Sequence, residues 1–525
     1  MLKIKKLLQI CKNERNSVNL QQFYYRYNNY GYDKMKKHLV FRFCFIYLLT
    51  SLLCTMTATA KKQVFNIVDY GAVPDGKTLT HEAFNRAIDD AVSKGGGRVV
   101  VPFGDYLCGS IRMKSNIELH FEPGARIIAA PESANAYDAR EPWEGPQYQD
   151  GGHTFFHNSL IWADGASNIA ITGSGYIDGV GLTREDKEKA GIVQGGGMDT
   201  GDKAIAFKLC KNVKISDLTI YRGGHFAIIV TGCENTLIDR VTIDTNRDGV
   251  DIDCCKNLVI RNCCVNTSHD DAIVLKSSYA LKKLVPCENI TVKKCTVTGY
   301  KCGTYLDGTK VPEPVGWVCG RIKLGTESNG GYRNIKILNC KGEYSSGLAL
   351  ECVDQGVMEN IDVDGFNIVH THHYPIYITT GCRNRGPEDR KDISTGQNIT
   401  IKNVSCYHAD SIAGIIITGM KGTPLRNISI SKVRVDYAGG GRAEHAKREY
   451  REQGTNYPEP KFAGFTPAYG VFARHVDGLK LNNIKFRVKN KDERPMIIFD
   501  DVTYYSIKNV KGPLEPGVEK IIVKP

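Results

Sequence analysis

Short runs of alternating apolar and polar residues recur along most of this chain, and each run opens at an asparagine. A run continues with two or three apolar residues spaced by polar ones, then a polar gap and a second short apolar segment. In the best-resolved part, Asn212 and Asn235 are 23 residues apart, and Asn235 and Asn257 are 22 apart. The ten runs begin at Ser115, Ser167, Lys211, Glu234, Lys256, Glu288, Arg333, Glu359, Gln397 and Arg426.

A repeat of just over twenty residues with very short strands is typical of a solenoid. Such strands cannot bury their own apolar faces, but stacked coils, about 4.8 Å apart, bury a continuous core. Asparagine suits the turn because it tolerates a left-handed backbone and its amide can bond to neighbouring coils. The pattern predicts an all-β protein, a right-handed parallel β-helix. A β-sandwich is the alternative, but it would have longer strands and hairpin turns, which do not dominate here.

One amphipathic segment, Thr80–Gly97, precedes the repeats. We expect a short N-terminal helix there, with Thr80 as N-cap and the glycines as its stop, that caps the open end of the core. The polar stretch Gly440–Phe465 is expected to be a long loop, so residues 61–525 form a single β-helix domain. The predicted apolar stripe of the helix comprises Ala83, Phe84, Ala87, Ile88 and Val92.

The first 60 residues are predicted to be a targeting segment. Met35–His38 supplies a positive start, Phe43–Leu53 an apolar centre, and Ala58–Ala60 a small-x-small cleavage site. The apolar centre is too short to span a bilayer, so we expect export to the periplasm or beyond the cell without stable membrane insertion. The Tyr- and Asn-rich residues before Met35 do not suit a signal peptide, and we place the true start at Met35.

Charge and cysteine content narrow the choice of partners. The net charge is +12, of which the targeting segment carries +8, leaving +4 for the remainder. This mild bias suits an acidic substrate but does not favour nucleic acid, which needs a clustered basic stripe. Cys210, Cys233, Cys255 and Cys287 each stand two residues before a run's asparagine, where a free buried cysteine packs as a small apolar residue. No Cys-x2-Cys pair has a matching second pair, so we expect no metal.

The stretch Asn246–Ser278 concentrates carboxylates. Asp248 comes first, and the adjacent pair Asp270 and Asp271 follows 22 and 23 residues later, an offset of one coil. The three side chains should therefore lie together on one face of neighbouring coils. We place Asp248 at a bend before its strand and assign the nearby Asp251 and Asp253 to local structure.

Crowded carboxylates have a chemical use. They raise one another's pKa, so that one can stay protonated beside ionised neighbours. Glycoside hydrolysis needs this combination, because one group protonates the leaving oxygen while another activates water. A solvated acidic turn and a calcium site remain alternatives, since oxygen clusters also bind Ca²⁺.

Four segments within roughly residues 64–510 resemble glycoside hydrolase family 28, the polygalacturonase-like pectin hydrolases. The opening from Phe65, FNIVDYGAVPDGK, is similar to the family's entry region. NRDGVDID from Asn246 resembles its Asn-Thr-Asp-Gly motif, with Arg247 in place of Thr. SHDDAIVLKS from Ser268 resembles its Gly-Asp-Asp motif, and LGTESNGGYRNI from Leu324 its glycine-rich segment.

The resemblance implies roles for the three aspartates. Asp270 would be the general acid, and Asp248 and Asp271 would activate the attacking water, with inversion at the anomeric carbon. No covalent sugar intermediate, metal or cofactor is implied. The expected function is that of an exported inverting glycoside hydrolase that acts on a pectic polymer or oligosaccharide.

Five further residues are candidates for substrate binding. Asn246 would help to orient the site, and Arg247 and Lys276 flank the carboxylates, where they can meet an anionic sugar. Family members bind the uronate carboxylate with an Arg-Ile-Lys strand. Here that sequence is Arg321 to Lys323, one coil earlier than in the family, and both cations have the same strand parity.

The chain also departs from the family pattern. Gly320 stands where family members that cleave homogalacturonan usually carry a histidine, and Glu351 stands near the expected lysine. The polymer is therefore open among homogalacturonan, rhamnogalacturonan and xylogalacturonan, and so are endo or exo action and the oligomeric state. Two other functions stay in view: a β-helix polysaccharide lyase with Ca²⁺ and an arginine base, and a non-catalytic carbohydrate-binding β-helix.

Overall fold

A computed structural model describes residues 63–183, 201–314, 318–387, 389–390, 392–411, 414–460 and 464–525. Gln63–Pro525 forms one compact unit. The predicted targeting segment of residues 1–60 lies outside the described residues. Among the described residues, no helix has the length and apolar character needed to cross a bilayer.

The chain folds as a right-handed parallel β-helix, as the repeat predicted. The central coils each contribute to three parallel sheets, in the order first, second, third. The first sheet contains β1 (Val64–Asn66), β3 (Gly97–Val101), β6 (Ile117–Phe121), β9 (Ser167–Gly173), β12 (Lys211–Ser216), β15 (Glu234–Asp239), β18 (Lys256–Arg261), β21 (Cys287–Lys293) and β33 (Ser506–Lys511). The second contains β2 (Asp75–Leu79), β4 (Gly104–Cys108), β7 (Ala125–Ala129), β10 (Tyr176–Asp178), β13 (Thr219–Tyr221), β16 (Thr242–Thr245), β19 (Cys264–Thr267) and β22 (Thr296–Thr298).

The third sheet carries the face on which the candidate site lies. Its strands are β5 (Ile111–Arg112), β8 (Ile161–Asp164), β11 (Ile205–Lys208), β14 (Phe226–Thr231), β17 (Asp248–Asp253), β20 (Ile273–Ser277), β23 (Ile322–Ser328), β25 (Leu348–Cys352), β27 (Ile376–Thr380), β29 (Ile415–Thr418), β32 (Ile497–Thr503) and β34 (Ile521–Lys524). Five longer strands turn a corner between sheets: β24 (Tyr332–Ser345), β26 (Val357–Thr371), β28 (Thr395–Ala409), β30 (Leu425–Gly439) and β31 (Val471–Asn490).

The recurring asparagines form a hydrogen-bonded ladder along one edge of the first sheet. All ten have a left-handed backbone, with φ of 59° at Asn168 and 58° at Asn235, for example. From Asn168 onward, each side-chain amide donates to the amide oxygen of the asparagine one coil before, over 2.9 Å from Asn212 to Asn168 and 3.3 Å from Asn235 to Asn212. The ladder runs through Asn116, Asn168, Asn212, Asn235, Asn257, Asn289, Asn334, Asn360, Asn398 and Asn427.

Substituting a ladder residue should weaken the fold. Asn235→Ala removes two ladder hydrogen bonds and forces alanine into a left-handed backbone, so the free energy of unfolding should fall by about 1–3 kcal/mol. Asn235→Gly keeps the backbone conformation accessible and should lose less. Urea unfolding of both variants measures the difference. Equal losses for alanine and glycine would contradict the conformational part of this explanation.

One apolar core fills the interior of the coils, and the predicted cysteines belong to it. Cys210, Cys233, Cys255 and Cys287 are buried and free, as expected. The thiol of Cys255 donates to the carbonyl of Val230 on the coil before, over 3.2 Å, and the other three make the same kind of contact. These cysteines therefore pack as small apolar residues that also give the backbone a weak donor.

The N-terminal helix α1 (His81–Ser93) packs on the first coils, and a second short helix, α2 (Ala443–Ala446), lies in the loop predicted at 440–465. Three 3-10 turns span Ile67–Tyr70, Glu132–Ala134 and Gly151–His153. Thr80 is the N-cap of α1, but its hydroxyl accepts from the Val73 amide instead of capping α1. The prediction that Val92 lies in the apolar stripe is wrong: it is exposed, and Ala91 is buried in its stead, one position nearer the core-facing side.

Candidate active site

Asp248, Asp270 and Asp271 converge at the corner where the chain enters the third sheet. One carboxylate oxygen from each lies within 4.8 Å of the others. The Asp271 amide donates to Asp248 over 3.2 Å and to Asp270 over 3.0 Å. Asp248 and Asp271 are buried, while the Asp270 side chain is 23% exposed. The one-coil offset in the sequence therefore produces a compact carboxylate triad with one member open to solvent.

A break in strand alternation turns Asp248 toward this triad. The residue is the first of β17 and not a bend before it, yet Val250 and Ile252, which share its parity, lie in the core. The break occurs at Gly249, where a Cβ atom would lie 2.3 Å from Val265 Cγ1. Asp251 and Asp253 keep the outward parity, so β17 presents three carboxylates outside the core.

Arg247 forms an ion pair with Asp270 at the solvent-facing edge of the triad. Partial burial alone would raise the pKa of Asp270, but the positive charge of Arg247 and a hydrogen bond with Asp248 hold it below its ordinary value. Asn246 accepts from the Ser268 hydroxyl over 3.0 Å through its amide oxygen and from the His269 amide through its carbonyl. Asn246 thus joins the loop before Asp270 to the loop before Asp248.

The pKa of Asp248 is shifted in the opposite direction. Burial and the nearby charge of Asp270 raise its pKa well above the ordinary value, against the opposing charge of Lys276, whose Nζ lies 3.4 Å away. Asp248 therefore keeps a proton and shares it with Asp270 through their hydrogen bond. Because the two groups interact strongly, the proton belongs to the pair.

Asp271 is the member of the triad that stays ionised. Its carboxylate lies 2.5 Å from Arg321 Nε and 3.4 Å from Lys323 Nζ. Burial alone would raise the pKa of Asp271, but these two cations hold it well below its ordinary value. Arg321 also bonds to the Tyr374 hydroxyl and, over 2.5 Å, to Glu459 from the long loop.

The Arg321–Lys323 pair therefore contacts the triad directly, although it is one coil earlier than the family's pattern. Of the four cations that touch the triad, three are buried. The exposed fractions of the side chains are 24% for Arg247, 10% for Lys276, 4% for Arg321 and 2% for Lys323. Each carboxylate of the triad therefore has at least one cation beside it, and three of these cations are shared with further carboxylates: Lys276 with Asp251, Arg321 with Glu459 and Lys323 with Glu351.

A buried polar cluster beside Asp248 was not predicted from the sequence. His153, from the segment between β7 and β8, lies 3.2 Å from Lys276 Nζ, 3.3 Å from Asp253 and 3.6 Å from Asp251. Burial alone would lower the pKa of His153, but the two carboxylates raise it to about 9, so it is charged at neutral pH. Asp251 also pairs with Lys276 over 3.1 Å.

Asp251 and Asp253 thus lie beside the triad and belong to the structure around it. Asp251 pairs with Lys276, the cation that contacts Asp248, and Asp253 pairs with His153. His153 is separated by 95 residues from Asp248, and no repeat position points to it. Glu459 was missed for the same reason, because the long loop leaves no periodic signal. Glu327, which lies 3.8 Å from Lys276, was also missed, although it belongs to β23 of the neighbouring coil.

The sequence and the fold of this chain are similar to those of known proteins. Residues 64–301 match the family described as rhamnogalacturonase A/epimerase, pectate lyase-like. A probable polygalacturonase of Vitis vinifera is 24% identical over 392 residues, which cover 71% of this chain and 74% of that protein. The family 28 exopolygalacturonase of Yersinia enterocolitica has the same fold, with a TM-score of 0.61, 18% identity and coverage of 87% of this chain and 79% of that one. This chain is similar to polygalacturonases, as its resemblance to glycoside hydrolase family 28 implied.

A second solved structure supports the shared fold of this polygalacturonase-like protein. The exopolygalacturonase of Thermotoga maritima aligns with a TM-score of 0.60 and 22% identity, over 81% of this chain and 91% of that one. At these identities the structural likeness concerns the fold alone.

Gly320, where the polygalacturonase pattern has a histidine, leaves no room for a side chain. Its φ is +54°, and a Cβ atom there would lie 2.2 Å from the Thr298 carbonyl oxygen. The next residue, Arg321, contacts Asp271.

Glu351, near the position expected for the family's lysine, is buried 3.5 Å from Lys323 Nζ. Burial raises its pKa to about 7 from the ordinary 4.5, although Lys323 and Arg321 oppose the shift. The folded protein therefore holds a proton on Glu351 at a pH where the unfolded chain has lost it.

The raised pKa of Glu351 predicts a pH dependence of stability. Because the native state binds the extra proton, the free energy of unfolding should fall as pH rises from about 4.5 to about 7, by roughly 3 kcal/mol at most. Glu351→Gln should remove this part of the dependence, and Glu359→Gln, on the outer surface, should keep it. Urea unfolding at a series of pH values checks the prediction. Parallel curves for wild type and Glu351→Gln would contradict it.

Proposed function

We propose that this polygalacturonase-like protein is an exported glycoside hydrolase that cleaves pectic polysaccharide with inversion at the anomeric carbon. The observation that carries the proposal is the triad of Asp248, Asp270 and Asp271, with oxygens within 4.8 Å of one another. Its kinship with polygalacturonases supports glycoside hydrolysis. The signal-like composition of residues 35–60 supports export.

Asp270 acts as the general acid. In the free protein the proton that it shares with Asp248 lies mainly on Asp248, because Arg247 favours the ionised form of Asp270. A substrate that draws Arg247 away lets the proton move to Asp270, the exposed member of the pair. Asp270 then donates this proton to the glycosidic oxygen as the bond from that oxygen to the anomeric carbon breaks.

Asp271 acts as the base that activates water, and Asp248 assists once it has passed on its proton. The water oxygen bonds to the anomeric carbon and its proton goes to a carboxylate, so one water is consumed for each bond cleaved. Arg321 and Lys323 keep Asp271 ionised and therefore ready to accept this proton. Two bases on adjacent coils can hold the water from two sides.

A retaining reaction is the second candidate, because of one observation. Inverting enzymes usually hold their carboxyl groups about 6.5–9.5 Å apart, whereas retaining enzymes hold them about 5–5.5 Å apart. The triad oxygens, within 4.8 Å, are nearer the second value. In that case Asp271 would attack the anomeric carbon directly and form a covalent sugar intermediate.

The substrate is proposed to be an anionic pectic chain. Arg247 is the triad-contacting cation with the largest exposed fraction, so it is the one best placed to meet a sugar carboxylate. Asn246 and Lys276 position the site, and Arg321 and Lys323 act through Asp271. The similarity to polygalacturonases supports a galacturonate-containing polymer.

The test is a reaction followed by NMR on homogalacturonan, rhamnogalacturonan and xylogalacturonan. The configuration of the first-formed anomer separates inversion from retention. New reducing ends without ultraviolet absorbance, unchanged by a chelator, support hydrolysis. Unsaturated products that absorb in the ultraviolet and disappear with chelator would indicate a lyase instead, and binding without cleavage would indicate a carbohydrate-binding protein.

A further inference from the structure

A single column of residues points outward along the third sheet, one residue from each coil. Its register is continuous from β8 to β34. In order, the column comprises Trp162, Ala206, Ile229, Asp251, Val274, Lys323, Ala349, Tyr377, Ile416, Phe472, Ile498 and Ile522. Charged residues of this column, Asp251 and Lys323, occur near its middle, at the coils of the triad, and apolar residues occupy both ends.

The apolar end before the triad is covered by the segment between β7 and β8, which we call the upstream wall (residues 130–160). Phe156 packs there with Ala206, Phe226 and Ile229 in a buried cluster. Asp150 of the same wall bonds to His225 over 2.9 Å. The outward face of the third sheet is therefore filled by protein up to the coil of β14.

The apolar end after the triad is covered by a second segment, the downstream wall (residues 440–470, of which 461–463 lie outside the description). Tyr450 and Ala468 form a buried cluster with Ala349, Tyr377, Ile416, Phe472 and Ile498. Nearer the triad, the Tyr457 hydroxyl accepts from Thr326 over 3.1 Å, and Gln453 accepts from the Tyr377 hydroxyl over 3.2 Å. This wall fills the outward face from β25 onward.

Each wall reaches the triad through one cation. The upstream wall does so through Lys276: His153 lies 3.6 Å from Asp251, which pairs with Lys276 over 3.1 Å, and Lys276 lies 3.4 Å from Asp248. The downstream wall does so from Glu459 to Arg321 to Asp271, each over 2.5 Å. Between the two walls, the residues of the column on β17, β20 and β23, which are Asp251, Val274 and Lys323, are buried as well. The solvent opening of the site therefore lies at Asp270 and Arg247, whose side chains are 23% and 24% exposed.

We propose that the walls turn the cleft into a pocket and that the protein acts as an exo-enzyme, which removes units from a chain end. A polymer lying along the third sheet would collide with one wall on either side of the triad, whereas a chain end can enter from outside. Tyr457 and Glu459 set the length of the pocket on the downstream side. This inference rests on the proposed hydrolase function and adds the mode of attack.

The test compares viscosity with reducing ends during digestion of homogalacturonan, rhamnogalacturonan and xylogalacturonan by the full chain. Exo action releases small products of one size from the first minutes and lowers viscosity only in proportion to bonds cleaved. A steep early fall in viscosity with large fragments would overturn the pocket while leaving the hydrolase intact. No reducing ends from any of the three polymers would overturn the proposed function and this inference together.

A double variant tests whether Tyr457 and Glu459 limit the length of the pocket on the downstream side. The double variant Tyr457→Ala with Glu459→Gln frees the wall tip from Thr326 and Arg321, and its products should become longer oligosaccharides. Glu452→Gln, which alters the same wall at its bond to the Lys421 amide, should leave product length unchanged. An unchanged product size in a folded double variant would overturn the role of Tyr457 and Glu459.

Discussion

Asp270→Asn is expected to lower kcat on a pectic polymer by about 10²–10⁴-fold, because asparagine cannot deliver the proton that the leaving oxygen needs. The loss should be much smaller on a glycosyl fluoride, since fluoride leaves without a proton. Initial rates on both substrates, with circular dichroism to check folding, measure the contrast. The same variant also removes the ion-pair partner of Arg247. Because Arg247 is proposed to meet the sugar carboxylate, KM should change as well.

Asp217→Asn is the matched control for Asp270, since Asp217 is also an exposed aspartate that pairs with an arginine, Arg240. It lies away from the third sheet and should keep wild-type kcat. Equal losses of Asp270→Asn on the polymer and on the fluoride would contradict the role as acid. If Asp248→Asn showed the selective loss on the polymer and Asp270→Asn did not, Asp248 and not Asp270 would be the general acid.

Asp271→Asn is expected to lower kcat by a similar factor, about 10²–10⁴-fold, on every substrate, because water must be activated whatever group leaves. The pH dependence of kcat should also lose the contribution from ionisation of Asp271, which Arg321 and Lys323 keep charged in the wild type. Measurement of kcat on the polymer and on the fluoride separates this pattern from that of the acid.

Loss of a buried charge can also disturb folding, so the control for Asp271 must match its burial. Asp492 is buried in an ion pair with Arg494, away from the triad. Asp492→Asn should lower the free energy of unfolding but preserve kcat. If Asp271→Asn kept substantial activity on the fluoride, the assignment of Asp271 as the base would be wrong.

The repeat can be recognised in the sequence because every coil must meet the same physical requirements. A strand needs apolar residues facing inward, and the turn after it needs a residue that tolerates a left-handed backbone, so Asn212, Asn235 and Asn257 occur at nearly constant intervals. The same regularity let the one-coil offset bring Asp248 to Asp270 and Asp271. Local periodicity thus predicted both the fold and the proximity of the three aspartates.

The surroundings of the triad could not be predicted in this way. His153 and Glu459 reach Lys276 and Arg321 from insertions whose sequences obey no period. The break of alternation at Asp248 depends on tight packing of Gly249 against Val265, which a parity rule cannot include. Val92 was misplaced because Ala91, four residues after Ala87 and three after Ile88, takes the core-facing position and leaves Val92 exposed.

The asparagine ladder has a consequence for how such an enzyme can change its substrate. Successive ladder residues bond directly although they are 52 residues apart at Asn116 and Asn168 and only 22 apart at Asn235 and Asn257. The spacing in sequence is therefore free, while the spacing in space is fixed by the strands. The upstream wall lies within such a long interval. It can therefore be lengthened or exchanged, by evolution or by protein engineering, while the catalytic coils beside it keep their register.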